Sequence, residues 1–596
     1  MSHPMRSALR ARTSATLVAG LVAVTTATTL SSIPAATAAD SACPEPVPVA
    51  DVTRGMPVHG LTVSSGNTTD AFTGEVVGVL EDGVSVGLDM IMVELEGSVI
   101  TKPGDPSDPA EVDRGIWAGM SGSPVYAEDG RLIGAVAYGL SYEPSNIAGV
   151  TPAADMYSLG RYENVQMPAA ATPATVETTP LATHRLMRAG VPTAQARQGF
   201  RRLAMPLSVS GLTPDRLQRA ANRVDLPRRV VATGRARTAA TTADIFPGSN
   251  VAMAMSYGDI SSSGVGTTTA VCEGKVLAFG HPFFFAGKAN ASLHAADAVY
   301  VQRDAAFGSF KVANLSTPVG TFTQDRLAGI LGTLGTVPQA TPVTSTVTST
   351  GYSRTGVTQV TDPAWTADMA TFHLFANLDR AFDGYQPGTG RLEWSATLRR
   401  ENGQRVTVTR SDLYSSAYDL TMSMPWDFYL ALSRLMSNKF EDVEIVDVTQ
   451  KARLSTAFRQ VRIATVKVAR DGRWRTVGRR SVVPVRAGKD LRIKVSLEPA
   501  ADSEAVPREA YLRLRVPRRA REGFAFVSVA GGLSHRFGGE SAGSFGELVR
   551  QLSNGPGNTS VVATLRSRGR GAATVEKYVE KAAPVSGSQW FAVAVR

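Results

Sequence analysis

The chain has 596 residues, of which 43% are hydrophobic and 19% are charged, with 55 glycines and 33 prolines. This length predicts several domains, each with its own core, and the composition favours a β-rich globular protein over a disordered or coiled-coil one. The formal net charge is +10. The basic residues between 399 and 521 alternate with apolar ones, as on the solvent face of strands, and no nucleic-acid-binding motif accompanies them. We therefore expect no nucleic-acid partner, only loose attraction to an anionic cell envelope.

The first 38 residues have the pattern of a signal peptide. Arg6, Arg10 and Arg12 form a basic region, an uncharged stretch runs from Ala15 to Ile33, and Ala36-Thr37-Ala38 is a small-x-small cleavage site. We expect cleavage near Ala38 and a secreted, extracytoplasmic protein. No later run is long and apolar enough to predict a bilayer-spanning helix.

Residues 39–160 read as a domain of short strands. Apolar runs lie at Leu61–Val63, Phe72–Leu80 and Met90–Leu95, and turn-forming residues separate them. A hairpin follows, with strands at 125–126 and 132–138 around a turn at 128–130. An acidic, proline-rich loop, KPGDPSDPAEVDR, precedes it, and its composition predicts a flexible insert on the rim of a site.

Between that loop and the hairpin lies the sequence GIWAGMSGSPV, a serine between glycines at the tip of a tight turn. Glycines allow backbone N–H groups to converge on one point, as an oxyanion hole needs. Ser121 is then a candidate nucleophile, with the N–H groups of Gly119 and Ser121 as the oxyanion hole. The alternative is an ordinary Gly/Ser/Pro turn between two strands, and the local pattern leaves both open.

The rest of the chain divides by composition. Residues 161–244 are rich in Ala, Thr and Pro and read as a linker with some helix. Residues 245–345 form a second glycine-rich strand domain, in which His281 ends an apolar strand in a Gly-His-Pro turn. Residues 346–445 are mixed α/β, with a helix predicted from Trp426 to Ser437 because its apolar residues fall at helical spacing. We interpret 446–596 as a C-terminal β-rich accessory domain with a short helix from Ser544 to Leu552, opened by Ser544 with Glu547 as a capping box.

Two cysteines and seven histidines are present in the chain. Cys43 and Cys272 are either a disulfide pair, which an oxidising compartment would favour, or two unrelated thiols. The histidines are scattered, with neither a zinc-site spacing nor an HExxH helix, so we expect no metal and no organic cofactor.

Two blocks of the sequence together resemble the stage IV sporulation protein B-type serine peptidases. RGIWAGMSGSPVYAEDGRLIGAVAYG is similar to that family's serine turn and following hairpin. GKVLAFGHPFFFAG, continued by VGTFTQDRLAGILGTLGTVP, is similar to its histidine turn and the strands after it. The resemblance implies a chymotrypsin-like double β-barrel with Ser121 as nucleophile and His281 as general base.

This chain departs from the family in three respects. The serine-bearing barrel comes first and the histidine-bearing barrel second, which a connection as long as 161–244 permits. A peptide-binding PDZ module is not recognisable. The family's aspartate begins an Asp-Pro step shortly before the serine turn, and by that match Asp108 is the favoured triad acid. Asp113 is an alternative, and both could instead be surface charges.

These patterns predict an exported serine endopeptidase that hydrolyses protein or peptide substrates through a Ser-His(-Asp) mechanism. The long inserts favour narrow specificity or self-processing. The alternative is a non-catalytic binding or scaffold protein of the cell envelope that retains the peptidase fold. Neither the substrate nor the oligomeric state follows from the sequence.

Overall fold

The structure, a computed structural model, describes residues 43–101, 114–140, 144–162, 175–176, 199–203, 207–221, 230–232, 234–304, 308–518, 522–534, 542–567, 574–580 and 582–596. These residues belong to one unit spanning Ala38–Arg596. The predicted signal peptide and both candidate acids, Asp108 and Asp113, lie outside the described residues.

The chain is mainly β, as its composition predicts. Its first sheet contains eight strands, β1 (Pro57–Thr62), β2 (Asp70–Ser85), β3 (Leu88–Glu96), β4 (Pro124–Ala127), β5 (Leu132–Gly139), β6 (Ile147–Pro152), β7 (Thr175–Val176) and β8 (Phe200–Arg202). A pairing between β4 and β5 closes six of them, in the order β4-β1-β2-β3-β6-β5, into an antiparallel barrel. Every residue of β5 and β6 is buried, because one face of these strands lines the barrel core and the other is covered by neighbouring chain.

The second sheet is larger. Its strands are β9 (Leu207–Val209), β10 (Val230–Ala232), β11 (Gly234–Thr238), β12 (Asn250–Gly258), β13 (Ser262–Cys272), β14 (Lys275–Ala278), β15 (Gly287–Gln302), β16 (Phe310–Arg326), β17 (Gly329–Leu334), β18 (Thr341–Ser349), β19 (Tyr352–Val360), β20 (Gly388–Arg400), β21 (Arg405–Ser416) and β22 (Val443–Ser455). Six of these, β12 to β17, each pair antiparallel with two others of the group. The order β13-β14-β17-β16-β15-β12 returns to its start through the β12–β13 pairing.

The two sheets meet along β13, β15 and the start of β16. Single-residue bridges join Ala118 to Phe310 and Gly66 to Ala298, so chain from the first sheet pairs directly with chain from the second. Within the stretch expected to be a linker, β8 adds to the first sheet beside β5, while β9 pairs with β13 of the second. Its described strands therefore belong to the two sheets, and a helix lies among them at Pro214–Ala221.

Six helices accompany the sheets in the described ranges. They are α1 (Ala153–Tyr157), α2 (Pro214–Ala221), α3 (Thr366–Phe382), α4 (Leu420–Ser423), α5 (Pro425–Met436) and α6 (Phe545–Asn554). Helix α3 packs against β18 and β19, and α5 packs against α3. Helix α5 coincides with the helix predicted from its apolar spacing. Helix α6 begins after Ser544, whose hydroxyl accepts the N–H of Glu547, an N-cap that the sequence predicts.

The C-terminal strands form two further sheets of five strands each. One contains β23 (Val461–Arg470), β24 (Arg473–Val477), β26 (Asp490–Pro499), β27 (Arg508–Arg515) and β31 (Val585–Ser586). The other contains β25 (Val482–Val485), β28 (Gly523–Gly531), β29 (Ser560–Ser567), β30 (Thr574–Val579) and β32 (Ser588–Val595). Their inward-facing residues share one hydrophobic core. Among the described residues, none of the helices combines the length and the apolar character needed to cross a bilayer.

Candidate active site

The serine turn is a compact loop between the Ala118 bridge and strand β4. The N–H of Met120 donates to the Trp117 carbonyl at 3.1 Å, and the N–H of Ser123 donates to the Met120 carbonyl at 2.8 Å. Gly119 and Gly122 have φ angles of +107° and +96°, in the region that glycine adopts without strain. A Cβ at Gly122 would also collide with the carbonyl oxygen of residue 267. The glycines flanking Ser121 are therefore required by this backbone path.

Strand β13 of the second sheet holds the turn in place. The N–H of Thr267 donates to the Ser121 carbonyl at 2.7 Å, and its hydroxyl donates to the Gly119 carbonyl at 2.9 Å. The hydroxyl of Thr269 donates to the Gly122 carbonyl at 2.8 Å. Three carbonyls of the turn are thus fixed by a strand that comes much later in the sequence, so the position of Ser121 depends on the contact between the two sheets.

His281 lies in a tight turn after β14. Phe279 and Gly280 both have positive φ angles, +72° and +68°, and for a phenylalanine this conformation is strained. The Gly280 carbonyl accepts the hydroxyl of Thr151, from β6 of the barrel, at 2.5 Å. The turn at Phe279 and Gly280, together with the hydrogen bond from Thr151, directs the His281 ring back toward the first sheet.

The two predicted catalytic side chains are in hydrogen-bond contact. His281 Nε2 lies 2.8 Å from Ser121 Oγ, and His281 Nδ1 lies 2.8 Å from the carbonyl oxygen of Pro282. A carbonyl can only accept, so Nδ1 carries the proton and Nε2 presents a lone pair to the serine hydroxyl. This is the tautomer that a general base for Ser121 requires.

The turn after His281 is organised by a residue that the sequence analysis did not single out. Asp325, fully buried on β16, accepts the N–H groups of Phe283 and Phe284, each at 2.7 Å, and that of Ala286 at 3.3 Å. Burial raises the pKa of this carboxyl, and the N–H donors act in the opposite direction. Asp325 stands within the second of the two sequence blocks, in the sequence TQDR, which is the only signal the sequence offers for it.

Burial dominates the electrostatics of the histidine. It lowers the pKa of His281 to about 3, with a smaller lowering from the charge of Arg202 and an opposing effect of the Pro282 carbonyl. Arg202 Nη1 also donates to the Pro282 carbonyl at 3.3 Å. His281 is therefore neutral over the whole physiological pH range in this conformation.

The expected oxyanion donors are free to bind an acceptor. In the described part of the chain, the N–H groups of Gly119 and Ser121 have no hydrogen-bond partner, unlike those of Met120, Gly122 and Ser123 in the same turn. Buried N–H groups without partners are rare and commonly mark places where a ligand or reacting group binds. Ser121 is completely buried and His281 is 1% exposed, so a molecule in the solvent can reach Ser121 Oγ only after neighbouring chain moves.

A second serine–histidine pair serves as a comparison within the same molecule. His294 Nε2 lies 2.7 Å from Ser292 Oγ, and its Nδ1 lies 2.8 Å from the Ser316 carbonyl. Ser292, however, is in the middle of β15, and its N–H donates to Thr361 Oγ1. Because Ser292 sits in a regular strand rather than in a glycine turn, and its own N–H is already paired, we interpret this pair as a buried structural contact.

The remaining predicted residues are placed as follows. Cys43 and Cys272 are joined by a disulfide with a Cα–Cα distance of 5.0 Å, at the end of the strand that supports the serine turn. Asp108 and Asp113 are outside the described residues, and among those described the Pro282 carbonyl is the partner of His281 Nδ1. No three metal-binding side chains cluster in the described ranges.

Comparison with known proteins yields no match. No family model fits the sequence, and neither a curated protein nor a solved structure is significantly similar to it. We therefore infer function from the residues and geometry of this chain.

Proposed function

We propose that this protein is an exported serine endopeptidase of the stage IV sporulation protein B type. The observation that carries the proposal is the 2.8 Å contact between Ser121 Oγ and His281 Nε2, formed across the two sheets with Nδ1 already engaged. The resemblance of the two sequence blocks to that family supports it. So does the paired closure of strands β12 to β17 opposite the first barrel, which fits a chymotrypsin-like double barrel.

In the proposed reaction, Ser121 Oγ attacks a peptide carbonyl while its proton passes to His281 Nε2. The N–H groups of Gly119 and Ser121 donate to the oxyanion that forms. The histidine then gives the proton to the leaving amine. A water molecule that His281 deprotonates attacks the acyl carbon, the ester bond to Ser121 Oγ breaks, and His281 returns the proton to Oγ. The Pro282 carbonyl keeps the His281 ring in its orientation. A carboxylate at Asp108 or Asp113 would help to orient the ring.

Export is part of the proposal. It is supported by the basic and uncharged segments at the start of the sequence and by the Cys43–Cys272 disulfide, since such bonds persist in oxidising compartments.

A fluorophosphonate probe, which reacts with activated serines, tests the proposal. We expect labelling of the wild type and of Ser123→Ala, whose serine lies two residues further along the same turn and donates to Thr62 Oγ1. We also expect labelling of Ser292→Ala. Ser121→Ala should abolish labelling, and His281→Ala should reduce it by about a hundred-fold or more.

The second candidate function is a non-catalytic envelope binding protein. The complete burial of Ser121 and His281 favours it, because an active site must admit substrate. A wild type that resists the probe, together with blank casein and self-cleavage assays, would eliminate the peptidase and leave this alternative.

A further inference from the structure

Lys311, at the start of β16, is the one buried lysine next to the serine turn in the described part of the chain. It is 4% exposed. Its backbone N–H donates to the Ala118 carbonyl at 2.8 Å, while the Ala118 N–H donates to the Ser309 carbonyl at 2.9 Å. This pairing sets Lys311 directly beside Gly119, one of the two expected oxyanion donors.

The side chain of Lys311 lies along the Gly119 backbone. A Cβ at Gly119 would stand 2.7 Å from Lys311 Cβ, 3.3 Å from Cε and 3.4 Å from Cδ. The lysine stem therefore occupies the space that any side chain at 119 would need, and it limits how far the Gly119 peptide can rotate. Because Nζ is one bond beyond Cε, the ammonium lies within about 6 Å of the Gly119 Cα.

Among the described residues, few acceptors surround the ammonium. Nζ donates to Asn250 Oδ1 at 2.6 Å, and the Asn250 amide in turn donates to the Gly66 carbonyl at 3.0 Å. The opposite charge that acts on it is that of Asp70, at the start of β2. The cross-strand neighbour on β15, Val301, is apolar, and the serine turn itself contributes no titratable side chain.

A methionine or leucine at position 311 would make the folded protein more stable than the lysine does, because burying an ammonium with one neutral partner costs free energy. A buried lysine has a use where a reaction develops negative charge nearby, since a fixed positive group in a dry site stabilises that charge strongly. We propose that Lys311 is a positioning residue of the oxyanion site, whose stem holds the Gly119 peptide and whose ammonium places positive charge near that peptide.

This role rests on the proposed serine peptidase function and adds a distinctive pH dependence. Burial lowers the pKa of Lys311 to about 7, opposed by the charge of Asp70. His281 is neutral well below that pH, so it does not limit the reaction between pH 6 and 8. As pH rises through 7 the ammonium is lost, and labelling of Ser121 should fall about ten-fold between pH 6 and pH 8, following the protonated fraction of Lys311.

The test is the second-order rate of fluorophosphonate labelling from about pH 5 to about pH 9 for the wild type and three variants. Lys311→Met should label about ten-fold more slowly than the wild type at pH 6 and show no fall above pH 7. Lys311→Arg, which retains its charge, should show a flat profile. Asn250→Asp places a carboxylate beside the ammonium. The pH at which the labelling rate falls should then be higher by about one unit or more.

Lys288→Met, which removes an exposed charge from β15, is the matched control and should follow the wild type. Thermal melting verifies that each variant is folded. If Lys311→Met does not fold, the pH profiles of labelling for Lys311→Arg and Asn250→Asp test the role of Lys311 instead. Variants that keep the wild-type rate and profile overturn the role of Lys311 alone. A wild type that is not labelled at any pH overturns the peptidase function and this role together.

Discussion

Replacing Asp325 by asparagine removes the acceptor that holds the turn after His281. The two carboxylate oxygens receive the N–H groups of Phe283, Phe284 and Ala286. An asparagine of the same shape has one oxygen, so its amide nitrogen would face at least one N–H donor in a fully buried site. Losing charge-assisted bonds and leaving a buried donor unpaired should cost about 2 to 4 kcal/mol of the free energy of unfolding.

The same substitution should slow the chemistry. Pro282 precedes the first of these anchored residues, and its carbonyl fixes the tautomer and orientation of the His281 ring. A shift of about 1 Å in such a partner commonly costs about a hundred-fold in rate, and we expect a loss of that order in probe labelling of Ser121.

Denaturant unfolding and labelling rates, measured on the same samples, test both effects. Asp297→Asn is the matched control, because Asp297 is an exposed carboxylate on β15 in the same group of strands, and it should change neither quantity. An Asp325→Asn protein that unfolds at the wild-type denaturant concentration and labels at the wild-type rate would refute the assignment of Asp325 as the support of the histidine turn.

Three further predictions concern the buried histidines, the disulfide and the glycine of the serine turn. Burial lowers the pKa of His281 to about 3 and the pKa values of His294 and His373 to about 4, so the unfolded chain binds protons before the folded one does as pH falls below 6.5. The free energy of unfolding should therefore fall by about 1.4 kcal/mol per pH unit for each of them between about pH 6 and pH 4, and His294→Gln should reduce the slope in denaturant titrations. Replacing both Cys43 and Cys272 by serine opens a loop with a sequence separation of 229 and should cost about 5 kcal/mol, measured by urea unfolding against the oxidised wild type, with the reduced wild type as control. Gly122→Ala should abolish labelling and lower the melting temperature, whereas Gly130→Ala, with a φ of +84° and nothing within 4 Å of the new Cβ, should retain labelling.

The parts of this molecule that the sequence predicts are those set by local pattern. Apolar runs overlap β1, β2 and β3, and the glycines around Ser121 mark a turn whose φ angles do require glycine. Helix α5 follows from apolar spacing. In each case the information lies within about ten residues, which is the range over which side-chain periodicity and turn chemistry act.

The parts that the sequence does not predict depend on contacts between distant strands. Nothing near Asp325 or Lys311 indicates that the first supports the histidine turn and the second lies on Gly119, because both effects arise from where β16 packs. The sequence also does not predict that the Pro282 carbonyl is the partner of His281 Nδ1, because every residue has a carbonyl. Similarly, β8 and β9 are too short for a periodic signal, yet they extend both sheets.

The burial that fixes the serine–histidine pair also limits what it can do in this conformation. Protonating His281 with a pKa of about 3, rather than its usual 6.5, costs about 5 kcal/mol, and general-base catalysis must form that imidazolium. Ser121 has no exposed surface through which a peptide could approach. A motion that opens the site would admit substrate to Ser121, and the oxyanion that then forms beside the ring would stabilise the imidazolium. Under the proposed function the conformation described is therefore a resting state, and the site must open before Ser121 reacts.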